Sequence, residues 1–337
     1  PKEVVDRAAE LGFPGLVAYA VGIWQRPFDA VDPINEKYGT REALRKAAQY
    51  GTSVNDAYWI SVYENFIDLF TFSRGYDESI MARNRDGSIR LNWWAQQYEE
   101  YTRTVCPVER LDRVRRDLPD LRELIGEGSV YIDVEGAIEL IECYSDDHPV
   151  TREEDARLRR ELLMHAREVF GTVATESMPI DCLADAVDVG AYFPVYQWVG
   201  YGASDQPKVT PPVVPIPLFA LVYHESVMNM TPKDGPFYTC DRPYVPLWGM
   251  MPDDTDEFSL RVSRDLRPAM RARMVEHRFL TGPTVAAEEE DGEERFHSRD
   301  VQFARFSDGT AVVANFSREP YAWEGREVPP NDYVCAG

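Results

Sequence analysis

The chain has 337 residues, 44% of them hydrophobic, which is enough for one large core or for a large domain with a smaller one beside it. It carries 58 acidic against 36 basic residues, a net charge of -22, which argues against a nucleic-acid partner. No apolar run reaches the roughly 18 residues of a membrane span, and the five scattered cysteines and five histidines form no CxxC or HExxH, so neither a disulfide framework nor a zinc site is implied.

In chain order, residues 2–11 (KEVVDRAAEL) read as an amphipathic helix stopped by Gly12. GLVAYAVGIW (15–24) is an apolar run of strand length. REALRKAAQY (41–50) is a second helix, stopped by Gly51, and TSVNDAYWISV (52–62) follows as a strand with its exit loop. Charged helices cover 94–125, with NWW (92–94) packing at a helix start. GSVYIDV (128–134) is the next strand, then a strong helix over 152–170 and the strand GTVATES (171–177). AVDVGAYF (186–193), VPIPLFALVYHES (214–226) and YVPLWGM (244–250) read as further strands, and 259–280 as a long helix kinked at Pro268.

Apolar strands alternating with helices predict an α/β fold with a parallel sheet buried on both faces. Seven candidate strands follow an opening helix, so one strand before Pro1 would complete a (β/α)8 TIM-type barrel over residues 1–280, which is therefore expected to be N-terminally truncated. A doubly wound open sheet is the competing architecture, disfavoured because no GxGxxG follows a strand. After 281 the character changes. EEEDGEE (288–294) reads as a linker or hairpin tip, and VQFARFSDGTAVVANFS (301–317) alternates around an SDG turn. Residues 281–337 are therefore expected to form a small β-sandwich-like domain, itself incomplete. Lacking a long apolar run, the protein is expected to be soluble; the chain begins on Pro rather than Met, so a processed or cropped chain is expected that hides any export signal, and the oligomeric state is left open.

In a barrel of this kind chemistry sits at the C-terminal ends of the strands. Trp24 and Gln25 follow the first strand, and Asp56 and Tyr58 lie in the next. Asp133, Glu176, Asp188, His224 with Glu225, and Trp248 come after. Such acids and aromatics suit a sugar: carboxylates handle protons and oxocarbenium charge, and aromatic faces stack on a pyranose. Asp133 and Glu176 each end a short apolar strand, and the helix between them brings those strands side by side. Acids so placed can approach to about 5–5.5 Å, the separation of a retaining glycosidase. The competing reading is that each acid caps the helix after its strand. His224 reads equally as a hydroxyl ligand or a packed histidine, and Trp24, Trp198 and Trp248 also fit a core. Glu135 points to the other face as a structural residue, and Asp146-Asp147-His148 reads as helix capping rather than a metal cluster.

Several pieces in order resemble the catalytic barrel of glycoside hydrolase families 101 and 129, the α-N-acetylgalactosaminidase group. They are GIWQRPFDAVDPINEKYGTREAL (22–44), VNDAYW (54–59), YDESIMARNRDG (76–87), VYIDVEG (130–136), GTVATES (171–177), VPIPLFALVYHES (214–226) and FSDGTAVVANFS (306–317). The resemblance implies a retaining enzyme on α-linked sugars, with the nucleophile at Asp133 and the acid/base at Glu176. It also implies a Trp-Gln pair at Trp24 and Gln25, a third-strand acid at Asp56 and a strand-seven histidine at His224. The chain departs from the pattern around the sugar pocket. The loop after the Trp-Gln pair has Asp29 and Asp32 but no His, the third strand reads VNDAYW, and Ser177 follows Glu176 where Trp is usual. The interval from strand five to six is also short. These departures leave the reaction type standing and open the sugar identity. The expected site is thus Asp133 and Glu176 as catalytic pair, with Trp24, Gln25, Asp29, Asp56, Tyr58, His224, Glu225 and Trp248 around a carbohydrate. No cofactor or catalytic metal is expected, and the sequence is silent on a structural calcium. Two alternatives stay open: a non-catalytic glycan-binding or degenerate barrel, and a retaining α-glycosidase of the wider α-galactosidase or α-amylase kind.

Overall fold

The computed structural model describes residues 1–28, 33–177, 181–191, 214–230, 241–290 and 293–337. The chain divides into two compact units, Pro1–Gly190 and Ala191–Gly337.

In the first unit, α1 (Lys2–Leu11) closes on Gly12 and leads into β1 (Leu16–Ala20), α2 (Arg41–Val54) and β2 (Tyr58–Glu64). An antiparallel insertion follows, made of β3 (Asp68–Leu69), β4 (Leu91–Ala95) and β5 (Glu100–Thr104). Then come α3 (Pro107–Ile125), β6 (Gly128–Ile132), α4 (Arg152–Phe170), β7 (Gly171–Glu176) and β8 (Val189–Ala191). β1, β2, β6, β7 and β8 lie side by side in that order, and β1-β2, β2-β6 and β6-β7 pair in parallel. The result is an α/β fold with a parallel half-barrel; a closed eight-stranded barrel is not formed by these strands.

Local chemistry explains the main elements. Thr151 and Glu154 form a capping box that starts α4, and three acids in its first turn complement the helix dipole. Pro107 occupies the first turn of α3, where a missing N–H costs nothing. Every residue of β6 is buried, as expected for a strand inside a parallel sheet with both faces covered. α3 and α4 are joined under the sheet by a buried ion quartet. Arg110 reaches Glu135 and Asp155, both at 2.9 Å, and Arg159 reaches Asp155 at 2.8 Å and the Glu135 carbonyl at 3.0 Å.

In the second unit come α5 (Leu218–Tyr223), β9 (Met228–Met230), α6 (Tyr244–Leu247) and α7 (Glu257–Asp265). Strands β10 (Met274–Phe279), β11 (Val285–Glu290), β12 (Glu293–Ser298), β13 (Val301–Phe306), β14 (Ala311–Asn315), β15 (Tyr321–Trp323), β16 (Arg326–Val328) and β17 (Asp332–Ala336) complete it. The order β10-β13-β14-β17 is an antiparallel sheet, and β11-β12 and β15-β16 are hairpins. Tyr244, Leu247, Met250, Leu266, Phe306 and Phe316 form the heart of its core. The SDG turn does join two paired strands, β13 and β14, and of the acidic run residues 288–290 lie in β11 and 293–294 in β12.

Several segments differ from the sequence reading, residues 94–104 among them, which hold the end of β4 and β5 where charged helices were expected. Helix α2 runs through Gly51 to Val54, because a Cβ at Gly51 would lie 2.8 Å from the Tyr58 carbonyl. That glycine lets helix and strand approach; it does not stop the helix. Asn92–Trp94 lie in β4, where Trp94 packs edge-on against Tyr101 at 4.9 Å, not at a helix start. The runs expected as strands at 214–226 and 244–250 contain the helices α5 and α6. A continuous apolar run has no period to tell buried strand from buried helix. The expected 259–280 helix stops at Asp265. Pro268 disfavours helix at the residue before it, and Met274–Phe279 pairs instead with β13.

Candidate active site

The register of the parallel strands assembles the site. Tyr63 pairs with Tyr131 and Glu64 with Ile132, so Asn65 emerges beside Asp133, whose N–H donates to the Glu64 carbonyl at 2.8 Å. Ile132 pairs with Thr175, so Asp133 and Glu176 leave neighbouring strands at the same level. Adjacent strands lie about 4.8 Å apart, which brings the two acids together at the C-terminal edge.

Both chains then turn sharply. Val134 and Ser177 adopt φ of 66° and 53°. The Glu135 N–H folds back to the Asp133 carbonyl at 2.8 Å, which carries Glu135 down into the ion quartet. Gly136 seats this turn against β7. Its N–H donates to Thr175 Oγ1 at 3.2 Å, and a Cβ there would lie 2.6 Å from the Glu176 carbonyl.

Asp133 is buried and accepts two donors on Oδ2, the Tyr63 hydroxyl and Asn65 Nδ2 at 3.2 Å. The same Asn65 amide donates to Asp68 Oδ2 at 3.0 Å, while Asn65 Oδ1 accepts the N–H groups of Ile67 and Asp68. Asp68 Oδ1 accepts Asn92 Nδ2 at 2.9 Å and Thr102 Oγ1 at 2.7 Å. A single polar chain thus ties the insertion to Asp133. On the neighbouring strand Glu64 is fully buried and receives the Trp24 indole N–H at 3.0 and 3.2 Å. Beside Asp68, Phe70 stacks on Phe28 at 5.6 Å and on the exposed Phe72 at 5.0 Å.

These carboxyls are hard to ionise. Burial, then the Glu176 carboxylate, raise Asp133 well above the usual range against the lowering effect of Tyr63 and Asn65. Burial likewise raises Glu64 well above its ordinary value, against the Trp24 hydrogen bond. It raises Asp68 against its four donors. Tyr63 is pushed upward by burial and then by Asp133, so it stays a hydroxyl donor.

Of the residues expected at the site, the structure brings Asp133 and Glu176 together and places Trp24 on Glu64. Gln25 is exposed, with its N–H on the Pro33 carbonyl at 2.8 Å. Asp29, Asp32 and Trp198 lie outside the described residues. Asp56 and Tyr58 are corrected: β2 begins at Tyr58, so both sit at its N-terminal end, away from the acids. Asp56 is in the preceding turn, and the buried Tyr58 hydroxyl donates to the Phe13 carbonyl at 2.8 Å. His224, Glu225 and Trp248 belong to the second unit and are not at strand ends. His224 caps α5 and its ring nitrogens lie 2.6 Å from the Ala272 carbonyl and 3.0 Å from that of Gly249. Glu225 is exposed, 3.9 Å from Arg273, and Trp248 is packed against Tyr244 at 4.9 Å. Tyr63, Glu64, Asn65 and Asp68 escaped the sequence reading. Their signal was the stretch YENFID directly after an apolar run, hidden because that strand was started six residues early.

No protein-family model matches the sequence, and no curated protein sequence matches it. Solved structures do share its fold. The α-N-acetylgalactosaminidase NagBb from Bifidobacterium bifidum, as its GalNAc complex, matches with a TM-score of 0.75 at 20% identity over 100% of this chain and 52% of that chain. Its ligand-free form matches with a TM-score of 0.76 at 21% identity over 100% and 52%. Its Gal-NHAc-DNJ complex gives 0.73 at 20% over 99% and 52%. The chain spans about half the length of these structures. At such identity the likeness is one of fold alone.

Proposed function

We propose that this chain is the catalytic part of a retaining α-glycosidase, related to glycoside hydrolase families 101 and 129, with an α-N-acetylgalactosaminide or α-galactoside as substrate. The observation that carries this reading is the pairing of Asp133 and Glu176 on adjacent parallel strands, with two hydrogen-bond donors on Asp133. In this reading the two carboxyls share one proton, with the charge placed on Asp133, which accepts the Tyr63 and Asn65 donors, and the proton on Glu176.

In the first step an Asp133 oxygen forms a bond to the anomeric carbon while the glycosidic bond breaks and its oxygen takes the Glu176 proton. In the second, Glu176 as carboxylate removes a proton from water. The water oxygen bonds to the anomeric carbon and Asp133 departs as carboxylate. Both steps pass through an oxocarbenium-like state, and no cofactor enters. On this reading Asp68 and Asn92 would hold hydroxyls of the sugar and Trp24 would shape the pocket.

The test is Asp133→Ala assayed on aryl α-N-acetylgalactosaminide and aryl α-galactoside side by side. Near-total loss of turnover is expected in a folded protein, with azide restoring activity and giving a glycosyl azide of inverted configuration. Surviving hydrolysis removes Asp133 from the chemistry. A wild-type chain that binds these sugars but turns neither over is a glycan-binding barrel instead.

A further inference from the structure

Away from the sugar site, Cys106 meets Cys143 and His148, two side chains from a later connection, inside the first unit. Cys106 is the N-cap of α3, Cys143 bridges to Val150 in the β6–α4 connection, and His148 lies in the loop between them. Their Sγ, Sγ and ring-nitrogen atoms all lie within 4.8 Å of one another, and both thiols are buried.

We propose that Cys106, Cys143 and His148 form a Cys2His site for a structural zinc ion, completed by a water molecule. Several observations support it. His148 Nε2 lies 2.7 Å from the Ser79 carbonyl, which only accepts, so Nε2 carries the hydrogen. The neutral ring then presents its Nδ1 lone pair to Cys143 Sγ, 3.5 Å away. A carbonyl holding the far nitrogen is the usual support of a metal-bound imidazole. Bond lengths of about 2.3 Å to sulfur and about 2.0 Å to nitrogen, set tetrahedrally, put those two atoms about 3.5 Å apart. Cys143 Sγ also accepts the Arg83 N–H at 3.4 Å, which favours its thiolate, and Cys106 is held at the N-cap of α3. Zinc takes the place of the protons of the two thiols, which leave to solvent as the thiolates bind.

The ion would fasten together three segments: Ser79–Arg83 of the insertion, the start of α3, and the β6–α4 connection. Spacing along the chain could not show this site, because its ligands come from separate elements and form no motif.

The test is metal analysis of the full chain, expressed without a polyhistidine tag. Stoichiometric zinc is expected, retained in Cys335→Ala and lost in Cys106→Ala and Cys143→Ala, with zinc affinity about 100-fold weaker or worse in His148→Ala. Zinc that persists in the folded ligand variants is adventitious and overturns the site. So does an intact mass that shows Cys106 and Cys143 joined as a disulfide, or a metal-free chain whose two thiols both react with a thiol reagent. Should the variants not fold, cobalt-loaded wild-type chain decides: thiolate-to-cobalt charge transfer with tetrahedral d–d bands is expected, and its absence ends the proposal. None of these readouts depends on glycosidase activity.

Discussion

The Tyr63 hydroxyl donates to Asp133 Oδ2 from the adjacent parallel strand, two positions before Asn65 delivers a second donor to the same oxygen. In a parallel pair, side chains at successive levels of neighbouring strands face one another, so β2 supplies Asp133 with its hydrogen-bonding environment and β7 supplies it with its partner acid. The reactivity proposed for Asp133 depends on both.

Tyr63→Phe removes one charge-assisted hydrogen bond without changing volume. Such a bond is worth about 1.5–3 kcal/mol, so kcat/KM is expected to fall about 10- to 100-fold. The Tyr63 donor lowers Asp133 from its raised position. Its loss raises the carboxyl further, and the acidic limb of the pH–rate profile moves to higher pH. A profile that keeps its limb in Tyr63→Phe would show that Tyr63 does not set the ionisation of the nucleophile.

Glu64 gives a pH signature in stability. Its folded-state value lies above the ordinary 4.5 because of burial. Between those two values the folded chain holds a proton that the unfolded chain has lost, so stability falls as pH rises through the window. Gln at this position keeps an acceptor for the Trp24 indole and cannot ionise. Denaturation of Glu64→Gln and wild type from acid to neutral pH is expected to show an advantage for the variant that grows with pH. A constant difference would mean that Glu64 is not the source.

Glu135 anchors the ion quartet rather than the chemistry. Glu135→Ala leaves Arg110 and Arg159 buried with Asp155 as the remaining acid of the quartet and is expected to cost about 3–5 kcal/mol in chemical denaturation. The exposed pair of Arg45 with Glu42 provides the contrast: Glu42→Ala should cost less than about 1 kcal/mol. Equal effects would contradict the quartet's role.

Gly136→Ala acts on geometry. The added carbon meets the Glu176 carbonyl at 2.6 Å and Thr175 Cγ2 at 2.9 Å, so the end of β7 must shift. A misplaced catalytic group costs up to about 100-fold in rate, which is the expected fall in kcat, with KM little changed. Thermal unfolding measured beside the kinetics separates this from simple destabilisation.

Much was written in local pattern. The capped amphipathic helices α1 and α4, the parallel strands β1, β6 and β7 and the SDG hairpin follow from periodicity, capping residues and turn residues that act within a few positions. The prominence of Asp133 and Glu176 came from the same source, since each is the first acid after an apolar strand. What the local pattern could not supply was register, approach and company. Whether Gly51 stops a helix or admits one against Tyr58 depends on a strand yet to be placed, and that choice moved Asp56 to the wrong end of β2. The apolar runs at 218–223 and 244–247 carry no period, so packing alone made them helices. Tyr63, Asn65 and Asp68 gained meaning only when parallel pairing set them beside Asp133, and Cys106, Cys143 and His148 only when the start of α3 met the β6–α4 connection. Sequence determined which segments could form elements; tertiary structure decided which side chains meet, because those contacts join residues that no local period relates.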